Sequence, residues 1–160
     1  MATSPRQEVA VERRILSTEH REIEHVLGGV QTTAEMAGNL ASGDLASALR
    51  SLLDSVERTL LPQLDWADTL GFPEMDRLTA TPWATRLLRL QHQQIRQSVE
   101  YLEAHWLALR REPSHRQLVD LRARLYELHA LLGSHLEQEE AVVLQLLHGR
   151  ASRLPPADAS

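Results

Sequence analysis

Residues 125–146 read LYELHALLGSHLEQEEAVVLQL, and this stretch decides the fold. Leu125, Leu128, Leu132, His135, Glu139, Val142 and Leu146 recur at steps of three and four, the spacing that keeps side chains on one face of an α-helix. Two of those seven inward positions are polar. A buried carboxylate is costly unless it is paired, protonated or bound to a cation, so His135 and Glu139 call for a partner in the core.

The same irregularity recurs upstream. Leu16, His20, Ile23, Leu27 and Val30 form one apolar stripe with a histidine in it. Leu88, His92, Ile95, Val99, Leu102 and Trp106 form another. Three imidazoles and one carboxylate, His20, His92, His135 and Glu139, therefore point toward a common interior. Such a set suits a transition-metal ion, Fe2+, Zn2+ or Mn2+, and the donors alone do not choose among them. The remaining histidines, His25, His105, His115 and His148, fall off the stripes and read as solvated; His129 lies beside one. Trp66, Trp83 and Trp106 read as core or helix-end packing.

Working outward, Pro5 marks the first turn of helix 1 after Ser4, and Ala37-Gly38-Asn39 ends it. Gly28-Gly29 within it suggests a kink or a close helix contact. Ser42-Gly43-Asp44 opens helix 2, with Leu45, Leu49, Leu52, Val56 and Leu60 inward and a kink expected at Pro62. Gly71 to Ala80, with Phe72-Pro73, reads as a connection that holds at most a short helix. Thr81-Pro82 starts helix 3, which runs to about Arg111, and helix 4 follows the Glu112-Pro113-Ser114 turn to about His148. Four long helices on short connections predict an all-α, up-down-up-down four-helix bundle. It forms one domain over residues 1–150, with a frayed Ala/Pro/Ser-rich tail at 151–160.

Composition narrows the function. A chain of 160 residues with 42% apolar content builds one real core. Its net charge is −5, and all 17 basic residues are arginines scattered without a stripe, which argues against nucleic acid. The polar start, Met1 to Glu8, is no secretory leader, and no uninterrupted apolar run reaches membrane-span length, so a cytoplasmic protein without membrane contact is expected. With no cysteine, thiolate sites and disulfides are excluded. No phosphate-cradling glycine loop or nucleophile motif is present.

Thr18-Glu19-His20-Arg21-Glu22-Ile23, Leu90-Gln91-His92-Gln93-Gln94-Ile95 and His135-Leu136-Glu137-Gln138-Glu139-Glu140 together resemble the hemerythrin-like, HHE cation-binding bundles. Leu60-Leu61-Pro62-Gln63-Leu64 is similar to the Leu-Phe-Pro-x-Leu that closes that family's second helix. The resemblance spans roughly residues 10 to 148 and implies a non-haem di-iron centre that handles dioxygen, nitric oxide or peroxide. The chain departs from it on helix 2, where the family's His and Glu correspond to Leu52 and Val56. A second histidine frequent on helix 3 is Arg96 here, and Glu57 stands off the inner face. Three histidines and one glutamate suit a single ion better than two. The competing expectation is a metal-free or zinc-bound binding or regulatory module, its greasy core holding an apolar ligand or a helical partner. A thiol-dependent transferase of the DinB type fits less well, because the last helix lacks a His-x-x-x-His.

Overall fold

In the computed structural model the backbone is described for residues 5–37, 42–109 and 113–151, and the side chains for 21–37, 43–77, 79–83, 85–107 and 113–142. Among these residues there are only helices and turns, with no strand. Helix α1 spans Pro5–Met36, α2 Ser42–Ser55, α3 Leu61–Trp66, α4 Phe72–Thr79, α5 Trp83–Leu109 and α6 His115–Ala151. Single π-helical turns, Val56–Leu60 and Ala67–Gly71, join α2 to α3 and α3 to α4. The segment from Ser42 to Thr79 is therefore one helical rod, and the described residues form four rods.

Proline explains the two π turns. A proline inside a helix donates no N–H, and its ring presses on the carbonyl four residues back. Here the residue before each proline bonds five residues back instead: Leu61 N–H to the Val56 carbonyl, Phe72 N–H to the Ala67 carbonyl. The ladder opens by one residue, Pro62 and Pro73 are accommodated, and the helix continues. The short helix allowed for between Gly71 and Ala80 is α4, and it continues the rod. The rod ends at Ala80, which takes the left-handed conformation (φ 54°, ψ 27°) that commonly terminates helices.

Each following helix is capped by its own sequence. Thr81 Oγ1 accepts the Trp83 N–H at 3.3 Å. Ser114 and Gln117 exchange bonds, the Ser114 N–H to Gln117 Oε1 at 2.8 Å and the Gln117 N–H to Ser114 Oγ at 3.3 Å, which is a capping box. Ser4, the cap expected for α1, lies outside the described residues, as do residues 152–160. α1 runs unbroken through Gly28-Gly29, and a Cβ at Gly29 would stand 3.4 Å from Leu52 Cδ1, so this is the close helix contact rather than a kink.

The rods close into a ring, α1 against α2 and α6, and α5 against α2 and α6. Their apolar stripes meet in a core built from Ile23, Val26, Val30, Leu45, Leu49, Leu52, Leu53, Val56, Leu60, Ile95, Val99, Leu102 and the inward leucines of α6. A smaller cluster, Ala67, Phe72 and Leu88 with Met75 and Val142, lies where α4, α5 and α6 meet. Along α5 and α6 the polar inward residues fall between these two clusters. Leu88 precedes and Ile95 follows His92; Leu132 precedes and Val142 follows His135 and Glu139.

Three surface expectations need correction. Trp66 and Trp83 are 45% and 73% exposed rather than packed, whereas Trp106 is partly buried and donates its indole N–H to the Ala46 carbonyl at 3.1 Å. His25 and His115 are exposed as expected, but His105 is half-buried beside Tyr101 and Asp120. The His148 side chain lies outside the described residues. No helix among the described residues is long and apolar enough to cross a membrane.

Candidate metal centre

α5 and α6 bring two of the four predicted residues face to face. His92 and His135 are each 1% exposed, and their Nε2 atoms lie 3.2 Å apart. The rings meet edge to face, with centroids 4.7 Å apart. Glu139, one turn beyond His135, places Oε2 3.6 Å from the same His135 Nε2. The fourth residue, His20, belongs to α1, and its side chain lies outside the described residues.

The outer nitrogens are each directed at an oxygen. His92 Nδ1 is 2.9 Å from Asp68 Oδ1, and His135 Nδ1 is 3.3 Å from Gln91 Oε1. A carboxylate only accepts, so the His92 nitrogen facing it carries the proton, and the amide oxygen of Gln91 asks the same of His135. With its proton on Nδ1, a neutral His92 presents Nε2 as a lone pair, and His135 Nε2 faces both that nitrogen and the Glu139 carboxylate. Burial pushes the His92 pKa down, against the pull of Asp68, so that ring is neutral at pH 7, the form that ligates metals.

Asp68 is the residue that sequence reading missed. Its signal was present: Leu60, Leu64, Asp68 and Phe72 step by four, but the inward face of helix 2 was followed only to Leu60, short of the kink expected at Pro62. Asp68 sits in the π turn Ala67–Gly71 and is held through both carboxylate oxygens and its backbone carbonyl. Arg96 Nη2 donates to its Oδ2 at 3.1 Å and to Asp65 Oδ1 at 2.6 Å. Arg89 Nη1 donates to its backbone carbonyl at 3.2 Å, and Arg89 Nη2 to Asp76 Oδ2 at 3.1 Å. Phe72, fully buried, closes the layer with its ring centroid 5.0 Å from that of His92.

The second rod offers no ligand where the resemblance would place one. Leu52 and Val56 are 5% and 1% exposed, in one apolar cluster with Ile23 and Ile95. Glu57 faces outward, 3.7 Å from Arg50. Among the described residues no three His, Asp or Glu side chains are gathered into a complete cage. The donor set nevertheless fits one ion. Two imidazole nitrogens at about 2.0–2.1 Å from a shared ion are roughly 2.9–3.4 Å apart at angles between square and tetrahedral. The observed 3.2 Å falls inside that range.

A four-rod helical bundle with a buried histidine pair and a carboxylate in its polar layer has the character of a cation-binding helical protein. The sequence profile of the hemerythrin HHE cation-binding domain matches residues 11–147, nearly the whole chain, and the protein belongs to that family. No curated protein and no solved structure matches the chain.

Proposed function

We propose that the protein binds one transition-metal ion per chain, iron in the first place, and presents it to dioxygen, nitric oxide or peroxide. His92 and His135 would hold the ion through Nε2, Glu139 would offset its charge, and His20 would complete the set from α1. The observation that carries this reading is the approach of two buried imidazole nitrogens, His92 Nε2 and His135 Nε2, to 3.2 Å, with the Glu139 carboxylate 3.6 Å from the second. A cation held between them would be met by nitrogen and oxygen donors together. Iron bound there supplies redox chemistry toward a small ligand; zinc would supply Lewis-acid chemistry or a structural brace, and manganese is the third candidate. Leu52, Val56, Ile23 and Ile95, buried in one apolar cluster, would wall the ion from water.

Family membership supports cation binding, and the short connections between long rods support an up-down-up-down arrangement. A net charge of −5 with scattered arginines supports a small-molecule partner over nucleic acid. A second reading also has an observation behind it: 3.2 Å is hydrogen-bond distance, and one shared proton would turn the histidine pair into a metal-free buried network within a binding or regulatory module.

Elemental analysis of protein purified without a histidine tag decides between them. One metal per chain, lost in His135→Ala, with a melting temperature that falls in chelator, is expected. Metal-free protein with a melting temperature indifferent to chelator and to added ferrous iron overturns the proposal.

A further inference from the structure

The second rod lacks the family-type ligands, yet it sends a carboxylate to the histidine pair from a different place. Asp68 lies three turns beyond Val56, past Pro62, in the widened turn Ala67–Gly71. Its two carboxylate oxygens are divided: Oδ1 to His92 Nδ1 at 2.9 Å, Oδ2 to Arg96 Nη2 at 3.1 Å. Its backbone carbonyl takes the Arg89 bond at 3.2 Å. The side chain is therefore fixed in rotation, with one oxygen committed to a guanidinium that can only donate and the other to the imidazole.

We infer that Asp68 is the second rod's share of the centre: a positioning residue that holds His92 in its Nδ1–H tautomer, so that Nε2 stays bare for a divalent transition-metal cation. This rests on the cation-binding reading above. A carboxylate behind a ligating imidazole fixes ring and tautomer and makes the nitrogen in front a better donor to metal, and removing such a partner typically costs 10–100-fold in affinity. The second rod thus contributes charge and orientation in place of direct ligands.

The arrangement makes Asp68→Asn an informative variant. Arg96 claims the asparagine oxygen, because it has only donors to offer. The amide NH2 is then turned toward His92 Nδ1, which must become an acceptor, and the ring proton moves to Nε2. That proton sits between the two rings, 3.2 Å from His135 Nε2. The variant loses a metal-facing lone pair without losing a hydrogen bond.

Two readouts test this on the full-length protein. Long-range 1H–15N spectra of metal-free protein report the His92 tautomer, and Zn2+ competition against a chromophoric chelator reports affinity. Expected are Nδ1–H in the wild type and Nε2–H in Asp68→Asn. Zn2+ affinity should fall 10–100-fold, with the metal-free melting temperature unchanged or raised. A variant that keeps the Nδ1–H tautomer, keeps wild-type affinity, or loses affinity only together with metal-free stability overturns the inference. If the wild type takes up no metal, the cation-binding reading fails by itself, and the tautomer comparison still decides the role of Asp68.

Discussion

Arg96 and His92, one turn apart on α5, share a single carboxylate: Asp68 gives Oδ2 to Arg96 at 3.1 Å and Oδ1 to His92 at 2.9 Å. The family resemblance leads one to expect a histidine at the Arg96 position. A guanidinium there cannot ligate a metal, since it has no lone pair to give. It stands one step further out, paired with the carboxylate that faces His92. On the proposed one-ion reading, a potential second ligand is exchanged for a brace.

Arg96→Met keeps the length of the side chain and removes its charge and donors. Asp68 and Asp65 then lose their common cation, while the Arg89 bond to the Asp68 carbonyl remains. Metal affinity should fall about tenfold, the low end of the range for outer partners. Chelator competition measures it. A loss larger than that of Asp68→Asn would show that Arg96 acts on the centre by a route other than Asp68.

Phe72 stands at 0% exposure against the His92 ring and under the Arg89 guanidinium, which lies 5.3 Å from its centroid. Truncation leaves a cavity at the edge of the polar layer, beside Ala67 and Leu88. Phe72→Ala should cost about 3–5 kcal/mol of stability, as large buried aromatics generally do. Urea unfolding with an unchanged slope checks it, and a cost below 1 kcal/mol would place the ring outside the packed core.

What the sequence made legible follows from repetition. Leu45, Leu49, Leu52, Val56 and Leu60 announce a buried face because five residues agree on it, and His92 and His135 stand out because they interrupt such agreement. Asp68 stayed hidden because Pro62 reads as a kink and Phe72-Pro73 as part of a connection, so the inward face was not followed between them. Whether a helix ends at proline or opens into a π turn depends on tertiary packing, here of Leu64, Ala67 and Phe72, all buried. The exposed Trp66 and Trp83 sit near junctions of the rod and at a helix start, where no repeat fixes a face. His105 was misjudged for a different reason: its partner Asp120 comes from another helix, so nothing near it in sequence signals the pair.

That His105 cluster gives a pH prediction. The Tyr101 hydroxyl donates to Asp120, His105 Nε2 lies 3.1 Å from the Tyr101 oxygen and 3.3 Å from Asp120 Oδ2, and Arg124 covers the Tyr101 ring at 4.7 Å. The tyrosine bond, ahead of His105 and Arg124, holds Asp120 below the ordinary carboxylate range. A carboxylate depressed in the fold adds stability above its unfolded pKa and loses it as pH falls through the folded one. Tyr101→Phe should therefore be less stable than wild type at neutral pH, with the gap closing as pH falls through the acid range. Urea unfolding at stepped pH reads the gap. One that is constant with pH, or widens in acid, would mean that the tyrosine contributes by packing alone.

The strongest test of how the second rod faces the centre restores what the resemblance would place there. Leu52 and Val56 stand one turn apart, buried in the cluster that also holds Ile95 and Leu132, the residues adjoining His92 and His135 on their own stripes. Leu52→His with Val56→Glu puts a nitrogen and a carboxylate on that face. Without metal, the new glutamate is an uncompensated buried charge, and the double variant should lose about 3–5 kcal/mol. Leu52→His alone adds no obligatory charge and should lose less. Ferrous iron loaded anaerobically should relieve the destabilisation and raise bound iron from one ion per chain to two, since two-metal sites need carboxylate and imidazole from facing elements. Destabilisation that iron leaves untouched, with stoichiometry unchanged, would mean that Leu52 and Val56 belong to the packed core and not to the wall of the metal centre.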